Sequence, residues 1–218
     1  MSPGNPTGRS VAPAAVLATA ELVASAGVPI LVDEVYQDLT THPRVDLNAL
    51  WTASPGSVVL RSYSKSFALS GLRIGALIAR EDRTDELAAA HFAAVMSAPA
   101  PGQLAVLACL TNGCAEYLGQ VRKRLRERAR AADTALGSVP GCRVESGDLG
   151  VFSWLRVGSG AAVTDSLWRR HRIAVSPGTQ FGPSGAQYIR ALVDIEPDSL
   201  TRLTDALRAE VGVADAIG

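Results

Sequence analysis

Lysine is nearly absent from this chain. Lys65 and Lys123 are the only two lysines, although Lys and Arg together number 21. Lys123 lies in a run of arginines, whereas Lys65 stands alone. An ammonium can lose its proton in a suitable site and act as a nucleophile, which a guanidinium effectively cannot. Lys65 is therefore a candidate reactive amine, and the alternative is a solvated loop lysine.

Cysteine is also scarce. Cys109, Cys114 and Cys142 have neither a zinc-type spacing nor the even number of a disulfide framework. We interpret them as reduced thiols and predict no metal site.

The formal net charge is zero, so no overall field attracts nucleic acid or an anionic membrane. Without a basic flank or a long apolar run near Met1, we expect neither a signal peptide nor a membrane span, and predict a soluble, cytoplasmic protein.

The surroundings of Lys65 suit a phosphorylated ligand. Residues 61–75, RSYSKSFALSGLRIG, place Ser62 and Ser64 beside the lysine and Arg73 eight residues beyond it. Hydroxyl groups and a guanidinium are typical phosphate ligands, because arginine offers paired donors and a permanent charge. We predict a strand at Val58–Arg61, a loop at Phe67–Leu72 and a strand at Arg73–Ala79.

A second candidate site follows a short apolar run. Val28–Val32 reads as a buried parallel strand and ends in Asp33, with Tyr36 three residues further on. Ligands of open α/β sheets bind at the carboxyl ends of strands. A carboxylate at this position can keep a pyridine nitrogen protonated, and the protonated ring then stabilises a carbanion. The alternative is that Asp33 only caps a turn.

The chain opens with a turn that can hold a side chain rigidly. Residues 2–8, SPGNPTG, cannot form regular structure, and a helix is predicted at Val11–Ala26. Three residues mark the ends of this helix: Ser10 as N-cap, Pro13 in the first turn and Gly27 beyond the last. Asn5 can offer its amide to a ligand, and the alternative is an ordinary loop.

The rest of the chain predicts helices followed by short strands. The longest helix, Ala115–Leu136, carries one apolar stripe: Leu118, Val121, Leu125, Ala129, Ala132 and Leu136. It includes the basic run VRKRLRERAR, which could bind nucleic acid, but lacks interleaved aromatic residues and reads as a solvated helix face. The other predicted elements are helices Thr84–Val95, Gln103–Leu110 and Pro197–Val211, a helical turn Leu47–Trp51, and strands Cys142–Val144, Val151–Val157, Ile173–Val175 and Tyr188–Val193.

The stretch around Lys65 resembles the pyridoxal-phosphate lysine signature of the class I/II aminotransferases, which are fold type I enzymes. The matching positions are Ser62, Tyr63, Ser64, Lys65, Ala68, Leu69, Gly71, Arg73, Ile74 and Gly75. Five further segments are similar to the same family: NPTG, DEVYQDL, GVFSWLRV, IAVSPGTQFG and YIRALVD.

The resemblance implies a role for each candidate residue around pyridoxal 5'-phosphate. Lys65 would hold the cofactor as a Schiff base and move the α proton of the substrate. The remaining assignments are Asp33 for the ring nitrogen, Asn5 and Tyr36 for the phenolic oxygen, Ser62, Ser64 and Arg73 for the phosphate, and Arg190 for the substrate carboxylate. Without the resemblance, a surface ion pair is an equal alternative for Arg190.

The resemblance also implies an α/β fold. We expect a partial cofactor-binding large domain with an incomplete central sheet over residues 1–98, connecting helices over 99–138, and a C-terminal α+β small domain over 139–218. Only the second part of the family's enzymes is matched, so we expect a fragment, a misassigned start or half of a split enzyme. The active sites of the family lie at a dimer interface, so we expect a homodimer if the missing half is present, or association with a missing N-terminal half. Membrane and nucleic-acid partners are not expected.

The implied activity is amino-group transfer between an amino acid and a 2-oxo acid. The alternative is a catalytically inactive, aminotransferase-like domain that binds cofactor or a partner chain. Related pyridoxal-phosphate chemistries use the same residues, and the fold does not choose among them.

Overall fold

The computed structural model describes residues 1–214 and divides the chain into two compact units. The first unit comprises Met1–Pro3 and Ser10–Val121, and the second comprises Gly4–Arg9 and the chain from Arg122 onward. The domain boundaries expected at residues 98 and 138 stay a prediction.

The first unit contains a three-stranded sheet in the order β1-β2-β3. Strand β1 (Leu31–Asp33) is parallel to β2 (Val58–Ser62), and β3 (Gly75–Ile78) is antiparallel to β2. β1 begins later than expected, because the Val28 N–H is used to close the preceding helix and Pro29 has no N–H. The parallel pairing places Asp33 opposite Leu60, so the carboxyl ends of β1 and β2 share one edge.

Helix α1 (Pro13–Ala24) begins later than the sequence suggests. Its N-cap is Ala12 and not Ser10, whose hydroxyl oxygen is buried without a hydrogen-bond partner within residues 1–214. Pro13 explains this, because a proline disfavours helical backbone in the residue before it. Gly27 adopts φ +69° just beyond the helix, as predicted.

Five further helices begin in the first unit: α2 (Leu47–Ala53), α3 (Tyr63–Ser66), α4 (Thr84–Val95), α5 (Ala100–Thr111) and α6 (Ala115–Gly137). α4 has the predicted bounds, whereas α2, α5 and α6 each extend beyond their predicted ranges. The core of this unit is formed by α1, α2 and the two parallel strands, through Ala20, Val32, Val45, Leu50 and Val59.

The second unit packs helices on an antiparallel sheet of order β4-β5-β7-β6. Its strands are β4 (Arg143–Val144), β5 (Phe152–Arg156), β6 (Ser176–Pro177) and β7 (Tyr188–Leu192), and its helices after α6 are α7 (Gly160–His171) and α8 (Pro197–Ala214). Leu155, Leu167, Ile189 and Leu207 are completely buried in its core. The unit is therefore α+β, as expected.

The strand predicted at Ile173–Val175 is wrong, since the ladder to β7 begins only at Ser176. Arg172 adopts a left-handed φ of 56°, and the Ile173 N–H bonds to the Leu167 carbonyl, 3.1 Å away. The first residues after α7 therefore complete the end of that helix and do not extend the sheet. α7 itself was not identified, although Val163 and Leu167 are spaced as neighbours on one buried face.

The apolar stripe of α6 is confirmed, with Leu125, Ala132 and Leu136 buried. Within the basic run, Arg124 and Arg128 form ion pairs with Asp194 at 3.1 and 3.0 Å, in agreement with a solvated helix face. No helix in the described part of the chain is both long and apolar enough to cross a membrane.

The three cysteines are free, half-buried thiols. Burial raises the pKa of the Cys142 thiol to about 11, so this thiol stays protonated at neutral pH.

Candidate active site

The edge formed by the ends of β1 and β2 carries both an acid and an amine. Asp33 is the last residue of β1, and Lys65 lies in α3, which begins directly after β2. Ser62 caps α3, since its Oγ accepts a hydrogen bond from the Ser64 N–H at 3.3 Å. Lys65 is exposed and forms no ion pair with any carboxylate in the described chain. The parallel register thus brings the acid and the amine to one edge of the first unit.

Asp33 caps a turn, which is the alternative role considered for it from the sequence. Its Oδ1 accepts a hydrogen bond from the Val35 N–H at 3.0 Å, so this oxygen caps the turn that follows β1. A carboxylate has a second oxygen, which can still accept from a ligand. Tyr36 is buried and directly precedes a 3-10 turn, Gln37–Leu39.

Arg73 lies in a folded loop and not in β3, so the predicted strand Arg73–Ala79 begins two residues too early. Arg73 has φ 55°, a left-handed conformation that is uncommon for a residue other than glycine. Its Nη1 donates to the Ser70 carbonyl at 3.0 Å, and the Ser70 hydroxyl donates to the Ser64 carbonyl at 2.9 Å. No carboxylate pairs with Arg73 among residues 1–214, so its charge can serve an anionic ligand.

A buried acid that the sequence reasoning missed connects the two strand ends. Glu34 is 5% exposed, and its Oε2 accepts hydrogen bonds from Arg61 Nε at 3.0 Å and from Arg44 Nη1 at 3.3 Å. Charge-assisted hydrogen bonds of this kind are stronger than neutral ones. Glu34 directly follows β1, and Arg61 lies near the end of β2. Their ion pair therefore connects the ends of the two strands.

The same network reaches the helix that carries Lys65. Arg44 also pairs with Asp38, whose Oδ2 accepts a hydrogen bond from the hydroxyl of Ser66 at 2.8 Å. Ser66 is completely buried and directly follows Lys65. The acidic spacing in DEVYQD was the available signal, because Glu34 and Asp38 are four residues apart immediately after the strand.

In the second unit, Asn5 and Arg190 are hydrogen-bonded to each other. Arg190 Nη1 donates to Asn5 Oδ1 at 2.7 Å, and Nη2 donates to the Ser176 hydroxyl at 3.2 Å. The guanidinium carbon lies 4.5 Å from the ring centre of Phe152 and 4.8 Å from that of Phe181. Two aromatic rings and two hydrogen bonds therefore fix the orientation of this arginine.

The turn that carries Asn5 is attached to the second unit by its backbone. The Gly147 N–H donates to the Thr7 carbonyl at 2.6 Å, and the Leu149 N–H donates to the Gly8 carbonyl at 3.2 Å. A Cβ on Gly147 would lie 2.5 Å from the Gly8 carbonyl, which leaves room only for glycine. The turn that carries Asn5 is thus attached by backbone hydrogen bonds to the loop before β5.

A parallel strand pair with a lysine-bearing turn at its carboxyl edge, followed along the chain by an antiparallel α+β unit, defines a protein of the fold type I class. The profile described as "Aminotransferase class I and II" matches residues 1–207, and the chain belongs to this family. The recognition of the family, its pyridoxal-phosphate cofactor and the partial α/β fold class are confirmed.

Relatives with known sequences and structures agree with this assignment. YugH of Bacillus subtilis (strain 168) is 33% identical over 193 residues, covering 87% of this chain and 50% of YugH. The aromatic amino acid aminotransferase of Mycobacteroides abscessus is 30% identical over 207 residues, covering 95% of this chain and 56% of that protein. The alpha-aminoadipate aminotransferase LysN of Thermus thermophilus has the same fold, with a TM-score of 0.82 and 24% identity over 96% of this chain and 57% of LysN. The chain thus spans about half the length of the relatives it matches.

Proposed function

We propose that this chain is a pyridoxal-phosphate-dependent aminotransferase that transfers an amino group between an amino acid and a 2-oxo acid. The observation that carries the proposal is the position of Lys65, an amine without a carboxylate partner in the described chain, at the same strand edge as Asp33. Membership of the aminotransferase family supports this choice of chemistry.

The residues of the first unit fit the chemical groups of the cofactor. Ser62, Ser64 and Arg73 offer hydroxyl groups and a guanidinium to a phosphate, and Asp33 offers a carboxylate to a ring nitrogen. When bound, the pyridinium ring supplies an acceptor for the electron pair released at the substrate's α carbon. The acid, the amine and the phosphate ligands thus match three different parts of one molecule.

Lys65 is assigned two tasks, covalent attachment of the cofactor aldehyde and transfer of the α proton as general base and acid. The hydrogen bond from the Ser66 hydroxyl to Asp38, at 2.8 Å, attaches the α3 residue next to Lys65 to the 3-10 turn Gln37–Leu39. The Asp33 carboxylate is assigned to keep a proton on the ring nitrogen.

Asn5 and Tyr36 are assigned to the phenolic oxygen of the cofactor. Because Asn5 Oδ1 already accepts from Arg190, the amide NH₂ of Asn5 is the group left to donate. Tyr36 would donate through its hydroxyl group.

Arg190 is assigned to the α-carboxylate of the substrate. Hydrogen bonds to Asn5 and Ser176 orient the guanidinium, and its planar fork suits a carboxylate, which it can bind through paired hydrogen bonds.

We further propose that the active protein includes a second chain, either another copy in a dimer or a separate chain that supplies the other half of the family's length. Large apolar side chains of the first unit are exposed: Leu31, Phe92, Val95, Leu104 and Leu107. None of the residues of α4 is buried. Exposed apolar side chains of this size favour association. The proposed location is cytoplasmic.

The other candidate function is a catalytically inactive domain that binds cofactor or a partner. The observation that favours it is the length of the match, since the chain covers only half of YugH.

The first prediction concerns Lys65 and is tested by trapping. Pyridoxal phosphate is added to the purified chain, the visible absorbance is recorded, and borohydride reduction is followed by peptide mass spectrometry. We expect one pyridoxyl adduct on the peptide that contains Lys65, and loss of both signals in Lys65→Ala. Lys123→Ala, which removes the only other lysine, is the matched control and should retain them.

An adduct on Lys123, or none on Lys65 even in the presence of the remaining half of the enzyme, would exclude the enzyme proposal. A Lys65 adduct without amino transfer to a 2-oxo acid would support the inactive domain instead.

A further inference from the structure

A cavity of about 390 Å³ lies at one edge of the second unit's sheet. β6 pairs with β7 through only two residues, Ser176 and Pro177. The segment before them, residues 172–175, therefore faces β7 without pairing to it, and the cavity fills this gap. Residues 190–192 of β7 and residues Ser199, Arg202 and Leu203 of α8 complete its lining. We refer to it as the edge cavity.

The polar lining of the edge cavity is cationic and hydroxylic. It contains three arginines, Arg172, Arg190 and Arg202, and two serines, Ser176 and Ser199, but no Asp or Glu. Its volume is within the usual range for small-molecule sites, about 300–1,000 Å³. A cavity of this size with several guanidinium groups and no acid suits an anion.

Two of these arginines are available for a ligand. Arg190 already donates to Asn5 and Ser176. Arg172 lies 5.7 Å above the ring of Trp168, a contact that leaves its N–H groups free to donate. Neither Arg172 nor Arg202 forms an ion pair with any carboxylate of residues 1–214.

Other arginines of α7 and α8 do form ion pairs with carboxylates. On α7, Arg169 pairs with Asp165 at 2.8 Å, and on α8, Arg208 pairs with Asp205 at 3.0 Å. Both pairs lie on exposed surface, where a partner one helical turn away is easily provided. Arg172 and Arg202 instead border the cavity without such a partner.

We propose that the edge cavity is an anion-binding site for a small metabolite, whose carboxylate or phosphate group is held by Arg172 and Arg202 and not by Arg190, the arginine assigned to the substrate α-carboxylate. Planar guanidinium groups bind both oxyanions through two parallel hydrogen bonds. The apolar part of the ligand would contact Ile173 and Leu203.

The test follows individual arginine side chains by NMR. The Nε signals of the full ¹⁵N-labelled chain are assigned with single Arg→Gln variants, and inorganic phosphate and succinate are titrated separately at constant ionic strength. We expect the Arg172 and Arg202 signals to shift together and to saturate. The anion with the lower dissociation constant, phosphate or succinate, identifies the preferred group. Arg202→Gln should weaken the shift of Arg172 about tenfold in affinity, because one charge-assisted contact is lost.

Arg208→Gln is the matched control, since Arg208 lies on the same helix but outside the cavity and should leave the affinity unchanged. Circular dichroism verifies that each variant is folded, which is expected because Arg172 and Arg202 are exposed. The proposal is overturned if neither anion produces a saturable shift at millimolar concentration, or if Arg208→Gln weakens binding as much as Arg202→Gln.

Discussion

Residues around Lys65 are connected by a network of charged side chains that includes the buried Glu34. Glu34 is buried and shared between Arg61 and Arg44, and Asp38 connects Arg44 to Ser66. A charged acid is tolerated in a buried position when it is paired, as Glu34 is with two arginines. The network therefore contacts α3 through the buried Ser66, whereas the neighbouring Lys65 is exposed.

At this scale we predict that Glu34→Gln lowers the free energy of unfolding by about 2 kcal/mol, because a hydrogen bond to a charged group contributes about 1.5–3 kcal/mol. Urea denaturation measures the change. Glu86→Gln is the control, since Glu86 pairs with Arg83 at an exposed position and should cost less than about 0.5 kcal/mol. Equal losses in the two variants would contradict the network's role.

Secondary-structure elements were predicted best where their signals are local. Helix α4 has the expected bounds although none of its residues is buried. The stripe of α6 was predicted because the spacing of apolar residues along a helix is a local signal, and Leu125, Ala132 and Leu136 of that stripe are buried. β6 was misplaced, because a strand exists only where a partner pairs with it. α1 was predicted two residues too early at its start, since the effect of Pro13 on the preceding backbone outweighed the capping preference of Ser10.

The pairing of β2 with β3 sets the next prediction. Gly75 lies opposite Ser62, and a Cβ at Gly75 would lie 2.7 Å from the backbone carbonyl oxygen of Arg61. Gly75→Ala should therefore separate the strands at the base of α3 and lower the free energy of unfolding by about 1–3 kcal/mol. Thermal denaturation measures the loss, and cofactor absorbance should weaken in parallel.

Gly71→Ala is the matched control, because no atom lies within 4 Å of a Cβ at Gly71. A melting temperature that falls as much for Gly71→Ala as for Gly75→Ala would show that the strand contact is not the cause.

For the whole molecule, the chain combines a well-packed second unit with a first unit that exposes apolar surface. In the second unit, α7 and α8 are connected by a buried acid, Glu210, whose Oε1 lies 2.9 Å from His171 Nε2 and whose Oε2 accepts from Arg170 at 3.3 Å. The hydrogen bond to His171 and the charge of Arg170 lower the pKa of Glu210 below its ordinary value.

This lowered pKa predicts how stability changes with acid. A carboxyl group with a lower pKa in the folded state contributes stability above its unfolded pKa, about 4.3, and loses it as the pH falls through the folded value. Unfolding free energies measured from pH 7 to pH 3 should therefore fall less steeply in Glu210→Gln than in the wild type. Asp205→Asn, an exposed acid on the same helix, should keep the wild-type slope. If the unfolding free energy of Glu210→Gln falls with pH as steeply as that of the wild type, the Glu210 carboxyl does not cause the acid sensitivity.

The sequence by itself determined the family and the candidate residues, because the resemblance is carried by short local segments such as those around Asn5, Asp33 and Lys65. The tertiary structure decided what surrounds them. The Glu34 network, the hydrogen bond between Asn5 and Arg190, and the cavity beside β6 all join residues far apart in the chain. Such contacts depend on strand register and on the directions of side chains after packing, which no local pattern specifies.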